Sequence, residues 1–313
     1  MQDNVARPSK AIILTALPVE YQAVREHLAD LQEETHPKGT IYERGTFAAN
    51  GNTWEIGIVQ IGAGNPGTAT EVERAVDYFR AGVVLFVGVA GGLKDVRLGD
   101  VVAATKVYGY ESGKANITFQ PRPEVGNSTY SMERRAQAEA NKASWLQRLK
   151  GPLPDLLPRV FVGPIAAGEK VIASTYSSSR KLLKANYGDA LAVEMEGYGF
   201  IKAIHANQHV NALIIRGISD LIDGKSEADA NNWQEIASRH ASAFAFEVLA
   251  RLRGDTSRGV QRGPKSPDKP KQPLKRTPPA SKFNIQNKGT IHHQIIGDNP
   301  HLNTSYGKDP KEL

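Results

Sequence analysis

Short apolar runs that alternate with stretches of helical spacing are the feature that most restricts what this chain can fold into. Residues 83–87 read Val-Val-Leu-Phe-Val, with no polar residue to face water, as expected of a strand in a sheet covered on both faces. Apolar residues at helical spacing occur at 19–28 and 67–79, each after an apolar run. Repeated strand–helix units of this kind predict an α/β domain built on a mostly parallel sheet.

The remaining elements extend this pattern to about residue 253. We predict further strands at residues 11–16, 54–59, 101–104, 160–162, 191–193 and 211–215. We also predict a polar helix within 131–150, and an amphipathic helix at 232–252 that closes the domain. Residues 111–127 have no clear period and contain Pro121 and Pro123, so we expect a surface excursion there. The predicted domain therefore covers residues 11–253 and follows a flexible N-terminus at 1–10.

The positive charge of the chain is concentrated in one segment. The formal net charge is +6, and residues 251–282 hold ten Lys or Arg and two Asp, a net of +8, so the rest carries 6 − 8 = −2. Prolines are spread through the same segment, which cannot bury enough apolar area to fold. We predict a disordered basic linker at residues 254–282. A nucleic-acid-binding module is an alternative that rests on this linker alone, and we do not expect nucleic acid as a partner.

The C-terminal tail, residues 283–313, resumes an alternation typical of β structure. Phe283, Ile285 and Ile291 recur along it, and a turn signal follows at Asp298 and Asn299. A lone hairpin is marginally stable in water, so we predict a short β segment that pairs with a protein partner. Since no apolar run approaches the roughly 20 residues of a membrane span, and residues 1–10 are polar, we expect a soluble cytoplasmic protein that does not contact a membrane.

The glycine-rich stretch at residues 62–67, Gly-Ala-Gly-Asn-Pro-Gly, formally matches a dinucleotide-binding fingerprint between a strand and a helix. That fingerprint requires an acidic residue near the end of the next strand, where the chain has Val-Gly-Val-Ala at 87–90. The stretch could instead direct N–H groups at a phosphate or water, or form a tight turn. The chain also lacks cysteine and an H-E-x-x-H pattern. We therefore expect neither a cofactor nor a metal.

Acidic residues stand close to the ends of several predicted strands. Glu194 and Glu196 follow the strand at 191–193, and Asp220 follows the strand at 211–215. Because functional groups of open α/β proteins gather at the carboxyl ends of strands, these acids can meet over one pocket. There they could hold a sugar and protonate a leaving group. Glu20 also lies just past a strand, although taken alone it is an ordinary first-turn helix residue.

Four motifs in this order resemble the nucleoside phosphorylase and nucleosidase superfamily, especially its methylthioadenosine/adenosylhomocysteine nucleosidase branch. They are ALPVE at 16–20, VAGGL at 89–93 with LGDVV at 98–102, VEME at 193–196 and RGISD at 216–220. The resemblance covers about residues 11–252. It implies a three-layer α/β nucleoside phosphorylase-like domain around a mixed sheet, assembled as a homo-oligomer.

The resemblance also implies the roles of the site residues. Asp220 would be the general acid facing the purine N7, Glu196 would bind the ribose hydroxyls, and Glu20 would activate the attacking water. The residues implied to bind substrate are Ala90, Gly91, Val171, Ile172, Met195 and Ser219. The implied activity is hydrolysis of the N-glycosidic bond of a purine nucleoside or nucleotide, with adenine favoured, through an oxocarbenium-like sugar.

Departures from the family pattern affect this interpretation. Phosphorylases of the family tend to place Ser or Thr where this chain has Val89, so water is the expected nucleophile. A phosphate-dependent phosphorylase and a non-catalytic nucleotide sensor remain alternatives. Cations at 114, 122, 134 and 135 could meet the phosphates of a nucleotide. The tail resembles short β motifs of bacterial defence effectors, which implies an enzyme that depletes nucleotides during an antiviral response.

Overall fold

The computed structural model describes residues 9–117, 119–151, 153–172, 174, 176–222 and 232–252. The strands are β1 Ser9–Thr15, β2 Ala29–Thr35, β3 Ile41–Ala49, β4 Asn52–Gln60, β5 Val83–Gly92, β6 Val101–Gly109, β7 Gly113–Lys114, β8 Gln120–Pro121, β9 Glu124–Asn127, β10 Val160–Ala167, β11 Ala192–Glu194 and β12 Asn211–Leu221. The helices are α1 Pro18–Arg25, α2 Asn65–Phe79, α3 Tyr130–Ala140, α4 Ser178–Asn186, α5 Gly197–Ala206 and α6 Trp233–Arg251, with a 3-10 helix at Ser144–Arg148. The predicted linker at 254–282, the β tail at 283–313 and most of the predicted flexible N-terminus lie outside the described residues.

Ten of the described strands form one sheet in the order β11-β10-β6-β12-β5-β1-β4-β3-β2, with β9 paired to β6. The far end of β5 also pairs with β11, so β11, β10, β6, β12 and β5 close into a ring. Gly91 of β5 is thereby opposite both Val193 of β11 and Asp220 of β12. A Cβ on Gly91 would lie 3.1 Å from Asp220 Oδ1, so glycine permits this close approach. Closure of the ring thus brings the ends of β5, β11 and β12 together.

The sheet is mixed, as the family resemblance implied. The expectation of a mostly parallel sheet is wrong. Strand β3 pairs antiparallel with both β2 and β4, and β6 pairs antiparallel with both β9 and β12. The β2–β3 hairpin was not predicted, since β2 reads Ala-Asp-Leu-Gln-Glu-Glu-Thr without an apolar run. The predicted surface excursion at 111–127 is also partly wrong, because β9 joins the main sheet.

Hydrophobic clusters on the two faces of the sheet give the domain three layers. On one face, Ile12 and Leu14 of β1 pack in a cluster with residues of α2 and α5; on the other, Ala11 and Ile13 pack in a cluster with residues of α6. Such alternation occurs when both faces of a strand are covered. The predicted three-layer α/β architecture is confirmed.

Two helix predictions need correction. The polar helix predicted within 131–150 ends at Ala140 and is followed by the separate 3-10 helix. The closing helix α6 was predicted to be amphipathic, with one exposed face. Residues 240–250 are instead all buried, so this part of the helix has no exposed face. A glycine in the sheet allows this helix to approach closely: a Cβ on Gly217 of β12 would lie 2.0 Å from the carbonyl oxygen of Ala237. No described helix has both the length and the apolar character needed to cross a membrane.

Candidate active site

A cavity of about 240 Å³ lies where the ring of strands closes beside the start of α1. The three residues predicted to be catalytic, Glu20, Glu196 and Asp220, all line it. The six residues predicted to bind substrate line it as well: Ala90, Gly91, Val171, Ile172, Met195 and Ser219. The fold therefore gathers all nine around one space, and their chemical roles remain predictions.

Glu20 is held in the wall of this cavity by backbone N–H groups. Its Oε2 accepts hydrogen bonds from the N–H groups of Ala16 at 2.7 Å and Leu17 at 2.9 Å, and its Oε1 accepts one from Val89 at 2.8 Å. Only 3% of the residue is exposed. A Cβ on Gly88 would lie 2.4 Å from Oε1, so the glycine in β5 makes room for this carboxylate.

Glu196 is joined to the glycine-rich loop at 62–67. Its Oε1 accepts a hydrogen bond from the N–H of Gly64 at 3.1 Å. Gly64 has a φ of 109°, which an L side chain would strain. The N–H group of Gly64 in this loop therefore binds a protein carboxylate. The loop therefore helps to position the acid predicted to bind the sugar.

The site contains a buried charge network that we did not predict. Arg216 of β12 is 1% exposed, and its Nη2 lies 2.7 Å from Glu194 Oε2 and 3.9 Å from Glu196 Oε2. Its guanidinium carbon lies 4.0 Å from the centre of the Phe86 ring. Glu194 also accepts hydrogen bonds from the N–H groups of Glu196 and Gly197. The available signal was a charged residue directly after four apolar ones, because a buried charge must be paired.

This network and burial change the acidity of the carboxyl groups. Burial raises the pKa of Glu20, while the Arg216 charge and the three N–H donors oppose the rise. Burial and the Glu194 charge raise the pKa of Glu196 to about 7, against the opposing charge of Arg216. Glu196 therefore changes its charge near neutral pH.

Asp220 lies within β12 rather than after it, which corrects the predicted end of that strand at residue 215. The register of β12 against β5 shifts between Ile218 and Asp220. Such a bulge redirects side chains, and here Asp220 lines the cavity opposite Gly91. The Ser219 hydroxyl donates a hydrogen bond to Asp220 Oδ2 at 3.1 Å. Ser219 is therefore placed to orient the carboxyl group.

The basic residues proposed to meet phosphates lie elsewhere. Lys114, Arg122, Arg134 and Arg135 do not line the cavity, and Arg135 is paired with Glu139 at 3.0 Å. Lys170, which we had not predicted, does line it. In the part of the chain that the structure describes, no group of three or more His, Asp or Glu side chains is arranged to hold a metal ion.

A family model described as the phosphorylase superfamily matches residues 10–252. The ATP nucleosidase Cap17 of Escherichia coli (strain KTE188) is 29% identical over 263 residues, covering 76% of this chain and 50% of that protein. This chain thus spans about half the length of that relative. The 5′-methylthioadenosine/S-adenosylhomocysteine nucleosidase of Desulfotalea psychrophila (strain LSv54 / DSM 12343) is 26% identical over 213 residues, covering 64% of this chain and 82% of that protein.

Among solved structures, the MTA/SAH nucleosidase of Streptococcus pneumoniae in complex with 8-aminoadenine superposes with a TM-score of 0.63 at 24% identity. The match covers 78% of this chain and 100% of that one. The whole of that enzyme's fold is therefore represented here.

Proposed function

This chain belongs to the phosphorylase superfamily, and from that premise we propose that it hydrolyses the N-glycosidic bond of an adenine nucleoside or nucleotide and releases the free base. The observation that supports this most strongly is that Glu20, Glu196 and Asp220 line one cavity while each has different hydrogen-bond partners. Three carboxyl groups in three environments can divide the work of an acid, a sugar ligand and a base.

Asp220 is the proposed general acid. As the bond between C1′ and the base breaks, its electron pair moves to the base and a proton passes from the Asp220 carboxyl group to the purine N7. Protonation makes the base a better leaving group and contributes typically about 10²- to 10⁴-fold to such a reaction. The hydrogen bond from Ser219 fixes the orientation of this carboxyl group for the transfer.

Glu196 is the proposed ligand of the ribose hydroxyls. Its ionised form accepts hydrogen bonds from the hydroxyls and faces a sugar ring that becomes positively charged as the bond breaks. Its N–H partner, Gly64, holds one oxygen in place, and Met195 supplies an apolar surface beside it. The negative charge is therefore most useful at the transition state.

Glu20 is the proposed base for the attacking water. Each carboxylate oxygen has two lone pairs, and Oε1 accepts its one observed hydrogen bond from Val89. The remaining lone pair of Glu20 Oε1 can accept a proton from the water molecule while the oxygen atom of that water forms its bond to C1′. Burial raises the pKa of Glu20, which makes it a stronger base than an exposed glutamate.

Val89 supports water over phosphate as the nucleophile. Its side chain lines the cavity, and its N–H group is already bonded to Glu20, so the position offers no hydroxyl to an incoming phosphate. Hydrolysis then yields free base and free sugar. A phosphorylase would yield a sugar phosphate and would require added phosphate for turnover.

Names of the relatives support adenine as the base. One relative is an ATP nucleosidase and the other acts on 5′-methylthioadenosine and S-adenosylhomocysteine, all of which contain adenine. Depletion of nucleotides in an antiviral response is our proposal for the biological role. A homo-oligomeric state, action in the cytoplasm and a protein partner for residues 283–313 remain predictions from the sequence.

The direct test is chromatography after incubation with adenosine, methylthioadenosine, AMP and ATP, with and without phosphate. We expect free adenine without added phosphate from the wild-type protein, and its loss in Asp220→Asn. Asp189→Asn is a matched control, since Asp189 is 53% exposed and does not line the cavity. Strict dependence on phosphate would support the phosphorylase alternative, and recovery of intact substrate throughout would support a sensor.

A further inference from the structure

One wall of the cavity is an irregular segment after β10 that we call the base-site loop, residues 168–172. It carries Val171 and Ile172, which were predicted to line the base site. Ile172 is buried, but Val171 is 60% exposed and the Lys170 side chain is 70% exposed. Because little of the loop is covered, a few specific bonds must hold it against the cavity.

Glu111 supplies two of those bonds. Its Oε2 accepts a hydrogen bond from the backbone N–H of Glu169 at 2.8 Å, and its Oε1 accepts one from Lys170 Nζ at 2.8 Å. Glu111 follows directly after Tyr110, which is fully buried and whose N–H donates to the carbonyl oxygen of Ala167. The carboxylate is thus anchored to a rigid part of the sheet while it binds two consecutive residues of the loop.

Asn65 binds the same loop from the opposite side. Its Nδ2 donates to Glu169 Oε1 at 2.7 Å, and its Oδ1 accepts from the N–H of Gly199 at 2.8 Å. The preceding residue, Gly64, donates to Glu196. Glu169 is therefore fixed between two elements, one of which also fixes the proposed sugar ligand.

We propose that Glu111 is a positioning residue that holds the base-site loop in its binding conformation and thereby sets the affinity for the base. The inference rests on the proposed function. Glu111 does not line the cavity itself, and the proposed acid and base are carried by other elements. Without Glu111, the loop would lose its bonds at the Glu169 N–H and at Lys170. More of its order would then have to be gained when the base binds, and that ordering has an entropic cost. Binding should weaken while the chemical step changes little.

The two bonds of Glu111 can be separated by substitution. Glu111→Ala removes both acceptors, whereas Glu111→Gln keeps an amide oxygen for the Glu169 N–H and removes the negative charge that faces Lys170. The ion pair is largely exposed, and such pairs contribute little. We therefore expect the backbone bond to account for most of the effect.

The experiment measures the dissociation constant of adenine by calorimetry, and kcat and KM for the nucleoside that the wild type cleaves. For Glu111→Ala we expect both the dissociation constant and KM to rise roughly tenfold, and kcat to fall by less than about threefold. We expect Glu111→Gln to stay within about threefold of the wild type. Asp189→Asn, which removes another exposed carboxylate beside β6, should change neither constant.

Each outcome bears on a different statement. Adenine affinity of Glu111→Ala equal to that of the wild type would overturn the positioning role, as would a loss confined to kcat. An equal loss in Glu111→Ala and Glu111→Gln would overturn the assignment to the backbone bond. If the wild type neither bound adenine nor released it, the proposed function itself would fail, together with this inference.

Discussion

The two halves of the cavity are built in opposite ways. The half predicted to hold the sugar and water is lined by Glu194, which is paired with Arg216, and these side chains are 2% and 1% exposed. The half predicted to hold the base is formed by the base-site loop, where the Lys170–Glu111 pair has 70% and 24% exposure. A buried charge network is fixed by the packing of the whole sheet, whereas an exposed loop depends on a few local bonds. The reacting end is thus held by buried contacts, and the recognition end by a few local bonds.

The energies of the two halves should differ accordingly. Removing one partner of a buried ion pair typically costs about 3–5 kcal/mol, because the other charge is left uncompensated. An exposed pair typically contributes about 0–1 kcal/mol. Substitutions in the first half should therefore affect folding and catalysis together, and substitutions in the loop should affect binding alone.

Arg216→Met should produce the largest effect. It leaves Glu194 buried without its cation, so we expect the free energy of unfolding to fall by about 3–5 kcal/mol, together with loss of activity. Urea denaturation measures this change. Arg239→Met is the control, because the side chains of Arg239 and its partner Glu235 are 37% and 51% exposed, and we expect little change there. Similar denaturation midpoints for the two variants would contradict a structural difference between buried and exposed pairs.

Gly88→Ala should give a smaller loss of stability and a specific loss of activity. The new Cβ would lie 2.4 Å from Glu20 Oε1 and 2.7 Å from Arg216 Nη1, so the carboxylate must move. Overpacking of this kind typically costs about 1–3 kcal/mol. Gly82→Ala, at a position with no atom within 4 Å of the new Cβ, is the matched control. Full activity in Gly88→Ala would show that the position of Glu20 is not critical.

The dependence of activity on pH tests the buried half of the cavity without a substitution that could affect folding. The pKa of Glu196 is raised to about 7, so its carboxyl group is largely protonated below that pH and ionised above it. If ionised Glu196 binds the ribose hydroxyls, kcat/KM should rise as the pH increases through about 7. A profile that is already flat from pH about 5 upward would mean that Glu196 titrates like an exposed glutamate or is not required. Glu196→Gln should lack this rise.

Much of the site could be predicted from sequence because its residues lie close to apolar strands in four local motifs. Glu20, Glu196 and Asp220 each stand close to an apolar run whose strand character is evident. The partners of Arg216 could not be predicted, since β11 and β12 follow each other in the chain but do not pair with each other in the sheet. Closure of the ring depends on Gly91 and Gly92 pairing with a distant strand, which local patterns do not report.

Peripheral contacts and polar strands could not be predicted from the sequence either. Glu111 lies in a segment without a clear period, and its role is visible only through its two contacts with the base-site loop. Strand β2 carries mostly exposed polar residues, and it forms because β3 supplies a partner for its backbone. Local periodicity reveals buried strands well, but it does not reveal edge strands that are stabilised by pairing alone.

The most direct test of the proposed activity is release of adenine in the absence of phosphate, measured by chromatography for the wild type and for Asp220→Asn. We predict free adenine from the wild type and a loss of about 10²-fold or more in the variant, with the free energy of unfolding retained. Equal release by both proteins would contradict the assignment of Asp220 as the general acid. Release that occurs only with added phosphate would contradict hydrolysis.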